Sequence, residues 1–300
     1  MRILRYVITL MILLPTLAAP AAAQEKVKVL ATFSILADFA RQVGGDRVQV
    51  SSLVGPNGDA HVFQPSPADA RKVAEAKLVI LNGLGLEGWF ERFIKASGAK
   101  PQLVIAAQHA RLIAAGKDEH GHSHGSYDPH AWQDIGNAKA YVADIRDGLS
   151  TADPAGKDAY AANAAAYIAK LDALDAEVKA AVAAIPAARR KVITTHDAFA
   201  YFAKAYGIKF IAPQGVSTES EATARDVARI IRQVKAEKVP AVFLENVSDD
   251  RLIQRIAKES GAKIGGKVFS DALSEPTGPA GTYLDMMRNN IREFSAALKP

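Results

Sequence analysis

Four residues of this chain are of the types that close a shell around a metal ion, and each follows a strand-like run. His61 lies in GPNGDAHVFQPSP, His130 in YDPHAW, His196 in ITTHDAF and Asp271 in KVFSDAL. Three neutral imidazoles and one carboxylate fill a tetrahedral zinc shell. The chain has 300 residues and no cysteine, so a protein-held transition metal must use nitrogen and oxygen ligands. The same absence excludes structural disulfides, thiolate zinc sites, iron–sulfur clusters and cysteine nucleophiles. Taken singly, each residue has an ordinary explanation: a lone histidine is commonly a hydrogen-bonded structural group, and Asp271 before a loop reads as a turn or cap residue. Jointly they say more, because the histidines avoid helix interiors and sit where strands end. A second cluster is local. Residues 118–125, DEHGHSHG, place His120, His122 and His124 on a glycine-spaced loop that cannot pack as an apolar face. Imidazoles this close can bind zinc or copper weakly. His109 has no evident partner.

The surrounding pattern says how such residues would be positioned. VKVLATF reads as a buried strand, ILADFARQV as a helix stopped by Gly44-Gly45, and VQVSSLV as a returning strand. Ser66-Pro67, with Asp69 after it, opens another helix. LVILNG and LVIAA are further buried strands, and a helix is expected over about 136–149. Asp153-Pro154 then begins an alanine-rich run without internal glycine or proline from residue 157 to Ile185, stopped by Pro186. Tyr160, Tyr167, Leu171, Leu174 and Val178 mark one face. A helix of this length exceeds the diameter of a small domain and is expected to span two. The second half repeats the grammar: KVITT and IKFIAP as strands around a helix HDAFAYFAKAYG, then helices near 222–237 and 250–260, strands AVFLE and KVFS, and a last helix over about 282–298. LATFSILADFARQVG set against ITTHDAFAYFAKAYG pairs Thr32 with Thr195, Phe39 with Phe202 and Gly44 with Gly207, the signature of a weak internal duplication. Strands alternating with helices imply α/β architecture: two lobes, each with a mostly parallel sheet flanked by helices, joined by one long rigid helix. The expected division is 24–152, the linking helix 153–186, and 187–300. Open parallel sheets bind ligands at the carboxyl ends of their strands, so a cleft between lobes could unite the four residues.

Residues 1–23 read as a cleaved secretory signal peptide: Arg2 and Arg5, an apolar run from Tyr6, then the small residues Ala21-Ala22-Ala23. The run is short for a membrane span. Removing Arg2 and Arg5, the only charges in that segment, lowers the formal charge from +5 to +3. No basic cluster stands out, which argues against nucleic-acid binding. A bacterial lipoprotein needs a cysteine that this chain lacks, so a soluble periplasmic protein is expected.

Several stretches together resemble the solute-binding proteins of zinc and manganese ABC transporters. They are ATFSILADFARQVGG, VGPNGDAHVFQPSPADARKVAEAKLVILNGLGLE, DPHAWQDIGNAKAYVADI, ITTHDAFAYFAKAYG, PQGVSTESEA and FSDALSEPTGPAGTYLDMMRNNI. The resemblance covers Val27 to Leu298 and implies two α/β lobes joined by a rigid helix, with metal held between them by His61, His130, His196 and Asp271. It implies delivery to an inner-membrane permease with a cytoplasmic ATPase, and allows a periplasmic metal donor. Two features depart from or choose within the family pattern. Asp59-Ala60-His61 stands where the family usually has a proline before the histidine, which is expected to loosen that loop and leaves Asp59 as a supporting acid. His196 stands where many manganese-binding relatives have glutamate, and imidazole favours Zn2+ over Mn2+. Zinc is therefore the expected cargo, with manganese or iron as the alternative. Ligand imidazoles need their far nitrogens held, and Asp59, Asp128 and Glu245 are the candidates. Trp132 reads as a core residue.

Four protein ligands leave no position for an activated water, and no HExxH helix, nucleophile elbow or phosphate loop is present. Capture without catalysis is expected. An exported zinc hydrolase and a metal-binding adhesin are the competing classes. No heptad or apolar interface stripe argues against a monomer.

Overall fold

The computed structural model describes residues 25–115 and 126–299. The signal-type segment and His120, His122 and His124 lie outside the described residues.

The first half contains strands β1 (Val27–Phe33), β2 (Val48–Val54), β3 (Leu78–Leu81) and β4 (Gln102–Ile105). Their order is β2-β1-β3-β4, and every pairing is parallel. Around them lie helices α1 (Ser34–Gly44), α2 (Pro67–Glu75), α3 (Phe90–Ser97) and α4 (Ile135–Ala152). The cap of α2 forms as its sequence requires. The Ser66 hydroxyl accepts from the Asp69 amide, the Asp69 carboxylate accepts from the Ser66 amide, and Pro67 takes the first turn.

The long helix α5 runs Lys157–Ala183, about 40 Å at 1.5 Å per residue. It is shorter than its sequence pattern suggests at the start. Asp153 does not cap it, because its carboxylate is taken by Arg47 at 2.7 Å and by the Tyr160 hydroxyl at 2.7 Å, and Pro154–Gly156 form a 3-10 turn. The buried face is the expected one, with Tyr160, Tyr167, Leu171, Leu174 and Val178 all enclosed. This face lies against α1 and α4 of the first half and against α9 (Tyr283–Leu298) of the second.

The second half repeats the first. Its strands are β5 (Lys191–Ile193), β6 (Lys209–Ile211), β7 (Ala241–Glu245) and β8 (Lys263–Val268), in the order β6-β5-β7-β8 and again all parallel. Helices α6 (Ala200–Tyr206), α7 (Ala224–Glu237) and α8 (Asp250–Ser260) complete it with α9. Both sheets share one strand order, and the matched threonines behave alike. The Thr32 hydroxyl donates to Glu87 after β3, and the Thr195 amide donates to Glu245 at the end of β7.

A single apolar core crosses from one half to the other. Phe39 on α1 has ring contacts with Tyr141 on α4, Tyr167 on α5 and Tyr283 on α9, at 4.8 to 6.2 Å between centroids. A smaller cluster around Ile193, Val227, Ile230 and Ile253 holds α7 and α8 to the second sheet. Burying each large apolar side chain contributes about 1.5–3 kcal/mol. The aromatic junction thus fixes the lobes at their back and leaves the strand ends to form the site.

One close approach has no slack. Gly148 on α4 passes β4 so tightly that an added Cβ would stand 2.1 Å from a Val104 methyl. Gly148→Ala should lower stability by about 1–3 kcal/mol through overpacking, despite alanine's better helix propensity. A thermal melt of the metal-free protein checks this; an unchanged or raised Tm would contradict the packing account.

Candidate metal centre

Two similar turns present the first two histidines. In each, an aspartate two residues ahead of the histidine accepts from the histidine's backbone amide. Asp59 does so for His61 at 2.8 Å and Asp128 for His130 at 2.9 Å. The turn with alanine is therefore as well closed as the turn with proline, and the expected loosening is not seen. Ala60 is buried, and its carbonyl accepts from the Trp89 indole at 2.8 Å. Asp59 supports His61 through the backbone, and no hydrogen bond to Nδ1 of His61 forms among the described residues. Asp128 does both jobs, since its Oδ1 also lies 2.8 Å from His130 Nδ1.

His196 follows β5 in an irregular turn, because α6 begins only at Ala200 rather than at the histidine. Glu245 holds this turn open. One carboxylate oxygen accepts from the Thr195 and His196 amides at 2.5 and 3.0 Å, and the other lies 2.7 Å from His196 Nδ1. That last contact has ion-pair distance but not hydrogen-bond angles, so both atoms lack a hydrogen-bond partner. Asp271 lies three residues past β8. The backbone before it is clamped from both lobes: the Ser270 carbonyl accepts from Trp132 Nε1 and Gln133 Nε2, and Asn290 on α9 brackets Phe269.

The structure brings all four residues together in an enclosed space, with His61 5% exposed and His130, His196 and Asp271 fully buried. Their ligand-type atoms all lie within 4.8 Å of one another. His61 Nε2 is 3.3 Å from His130 Nε2 and 3.4 Å from Asp271 Oδ2. His196 Nε2 is 3.0 Å from Asp271 Oδ2, and His130 Nε2 is 3.6 Å from Asp271 Oδ1. Asp271 Oδ1 is buried without a hydrogen-bond partner.

The electrostatics are those of a receptor for positive charge. Burial alone would push the His130 pKa down, but Asp271 and Asp128 outweigh it and raise it to about 9. Burial likewise opposes charging of His196, and Glu245 and Asp271 overcome it, raising its pKa well above the ordinary value. Burial would raise Asp271, but His196 and His130 hold it well below the usual carboxylate range.

Three supporting residues escape the sequence pattern. Asn82, just past β3, donates to the Pro129 carbonyl at 3.0 Å and accepts from the Tyr141 hydroxyl at 2.6 Å. Tyr201 donates to the Asp128 carbonyl at 2.8 Å and accepts from the Ile113 amide at 3.0 Å. Gln133 is the clamp on Ser270 noted above. Only Asn82 carries a visible signal, a polar residue ending a buried apolar strand. Trp132 is buried as expected, yet it also stacks edge-on to His130, with 5.4 Å between centroids. His109 stands apart, exposed and paired with Asp144.

Two parallel α/β lobes, a helix spanning both, and a buried cluster of three histidines and an aspartate between them define a two-lobed metal-binding protein. A family profile described as the periplasmic component A of a zinc-uptake complex, ZnuA, matches residues 29–297. The chain belongs to this family of metal-binding solute-binding proteins of ABC transporters, whose role is binding and not catalysis. It is 35% identical to the iron-binding protein YfeA of Yersinia pestis over 91% of this chain and 86% of that one. It is 36% identical to the manganese-binding lipoprotein MntA of Bacillus subtilis over 94% and 93%. The solved periplasmic zinc-binding protein TroA of Treponema pallidum superposes with a TM-score of 0.85 at 29% identity, over 92% of this chain and all of that one.

Proposed function

We propose that the protein is a periplasmic carrier of Zn2+, bound by His61, His130, His196 and Asp271 and handed to an inner-membrane permease. The observation that carries this reading is the spacing of the four groups. Ligands about 2.0–2.1 Å from a tetrahedral metal stand about 3.3 Å apart. Four of the separations among these groups, 3.0, 3.3, 3.4 and 3.6 Å, lie near that value, and all the ligand atoms fall within 4.8 Å of one another. Asp128 and Glu245 would hold the far nitrogens of two imidazoles, as ligand histidines require.

A second reading, Mn2+ or Fe2+ as cargo, has its own support in the iron and manganese relatives and in Asp271. Both oxygens of that carboxylate face histidines, so it could bind through two oxygens and raise the coordination number. Zn2+ outranks Mn2+ at nearly any nitrogen–oxygen site, so the order of affinities alone does not discriminate. Coordination does. With residues 24–300, Co2+ should give the intense visible absorption of a four-coordinate ion, and Zn2+ should bind one to one in the cleft and displace it. A weak five- or six-coordinate Co2+ spectrum, together with Mn2+ competing on equal terms with Zn2+, would overturn zinc in favour of the second reading.

A further inference from the structure

The loop that presents His61 belongs by sequence to the first lobe but is held by the second. The Asn57 amide donates to the Leu273 carbonyl at 2.9 Å, and Asn246 donates to the Asn57 side chain at 3.2 Å. Asn57 itself sits in the left-handed region at φ 56°, which an asparagine tolerates better than most residues. The third tie engages the turn of His61 directly. Asp59 Oδ1 accepts from the His61 amide, while Oδ2 accepts from the Thr218 hydroxyl of the opposite lobe at 2.6 Å.

Thr218 lies in the loop after β6, and that loop is bonded to the turn carrying His196. The Gln214 amide donates to the Thr195 carbonyl, and the Asp197 amide donates to the Gly215 carbonyl. The backbone of His61 is therefore tied through the Asp59 carboxylate to the Thr218 hydroxyl, and the chain from Thr218 back to Gln214 and Gly215 carries the link to the hydrogen bonds on either side of His196. Two groups that close the cleft from opposite sides are joined outside it.

We propose that Thr218 is a positioning residue: through Asp59 it latches the His61 turn to the His196 turn and slows the escape of bound metal. This rests on His61 being a ligand. Metal can leave only when one wall of the enclosed site retreats, and the His61 turn is the wall with no side-chain acid behind its imidazole. Its attachment to the other lobe is then the contact that release must break. A hydrogen bond to a carboxylate is among the stronger kinds, so its loss should be seen in the rate of release.

Thr218→Val removes the hydroxyl at nearly constant volume, at a half-buried loop position where folding is not at stake. Release of Co2+ and of Zn2+ to an excess of chelator, followed by stopped flow, should be faster by about tenfold. Thr218→Ser should restore the slow rate, since it keeps the donor. A Thr218→Val rate indistinguishable from wild type would overturn the latch, as would a fast rate that Thr218→Ser fails to slow. The ligand reading is tested separately by His61→Ala. If that variant kept wild-type affinity, the ligand reading would fail, and this inference with it.

Discussion

His61→Ala should lower the affinity for Zn2+ by about 100- to 1,000-fold while leaving the metal-free fold intact. The magnitude follows from sharing a binding free energy of about 10–16 kcal/mol for a four-ligand zinc site among its ligands, roughly 2.5–4 kcal/mol each. The specificity of the loss follows from where His61 sits. Its imidazole has no carboxylate behind it, and its turn is closed by the bond from its backbone amide to the Asp59 carboxylate, which alanine keeps. His196 is different. It stands between Glu245 and Asp271, both buried. His196→Ala would leave two enclosed carboxylates without that counter-charge, so it should cost stability as well as affinity. Competitive titration against a chromophoric chelator gives the affinities, and thermal melts of the metal-free variants give the stabilities. A His61→Ala protein that still bound Zn2+ as tightly as wild type would sink the four-ligand reading.

Much of this arrangement is legible in the sequence because parallel sheets put functional residues at strand ends. His196 and Asp271 could be placed from KVITT and KVFS alone, His61 from the turn-forming DAH after VQVSSLV, and His130 from the turn-forming DPH. The helix boundary at Ser66-Pro67 followed from capping chemistry, and that cap forms. Local patterns fail where a long-range contact overrides them. HDAFAYFAKAYG reads as helix from its first residue, yet Glu245, distant in sequence, takes the amides of Thr195 and His196 and delays the helix to Ala200. Asp153-Pro154 reads as a cap, yet Arg47 claims the aspartate. Tyr201 and Thr218 are invisible for the same reason. Their partners lie 73 and 159 residues away, and nothing in their own neighbourhoods marks them, whereas Asn82, with its partner 47 residues away, shows only as a polar residue ending an apolar strand.

The same long-range contacts reset the pH dependence of binding. From unperturbed histidines, zinc affinity would fall only below pH about 6.5. The structure moves that window upward. With the His130 pKa raised to about 9 and that of His196 also well above the ordinary value, these two imidazoles are charged at neutral pH when no metal is bound. These two charges, beside the ionised Asp271, occupy the electrostatic place of a divalent cation. Binding must expel them, because an imidazole coordinates only when neutral. About two protons should therefore be released per Zn2+ at pH 7.5, and affinity should climb by up to about 100-fold per pH unit until His130 titrates. Calorimetry in buffers of differing ionisation enthalpy counts the protons directly. No release at pH 7.5, with affinity flat from there to pH 9, would show that the imidazoles are already neutral in the empty site. Stability without metal runs the opposite way on the alkaline side. A histidine whose pKa is raised by folding stabilises fully below about 6.5 and loses that contribution as pH rises through about 9. Asp271, held low, contributes above its ordinary value of 3.8 and loses its share only as pH falls below that. Raising the pH thus loosens the empty protein while it tightens the metal complex, so the gain in Tm on adding Zn2+ should be larger at pH 9 than at pH 7.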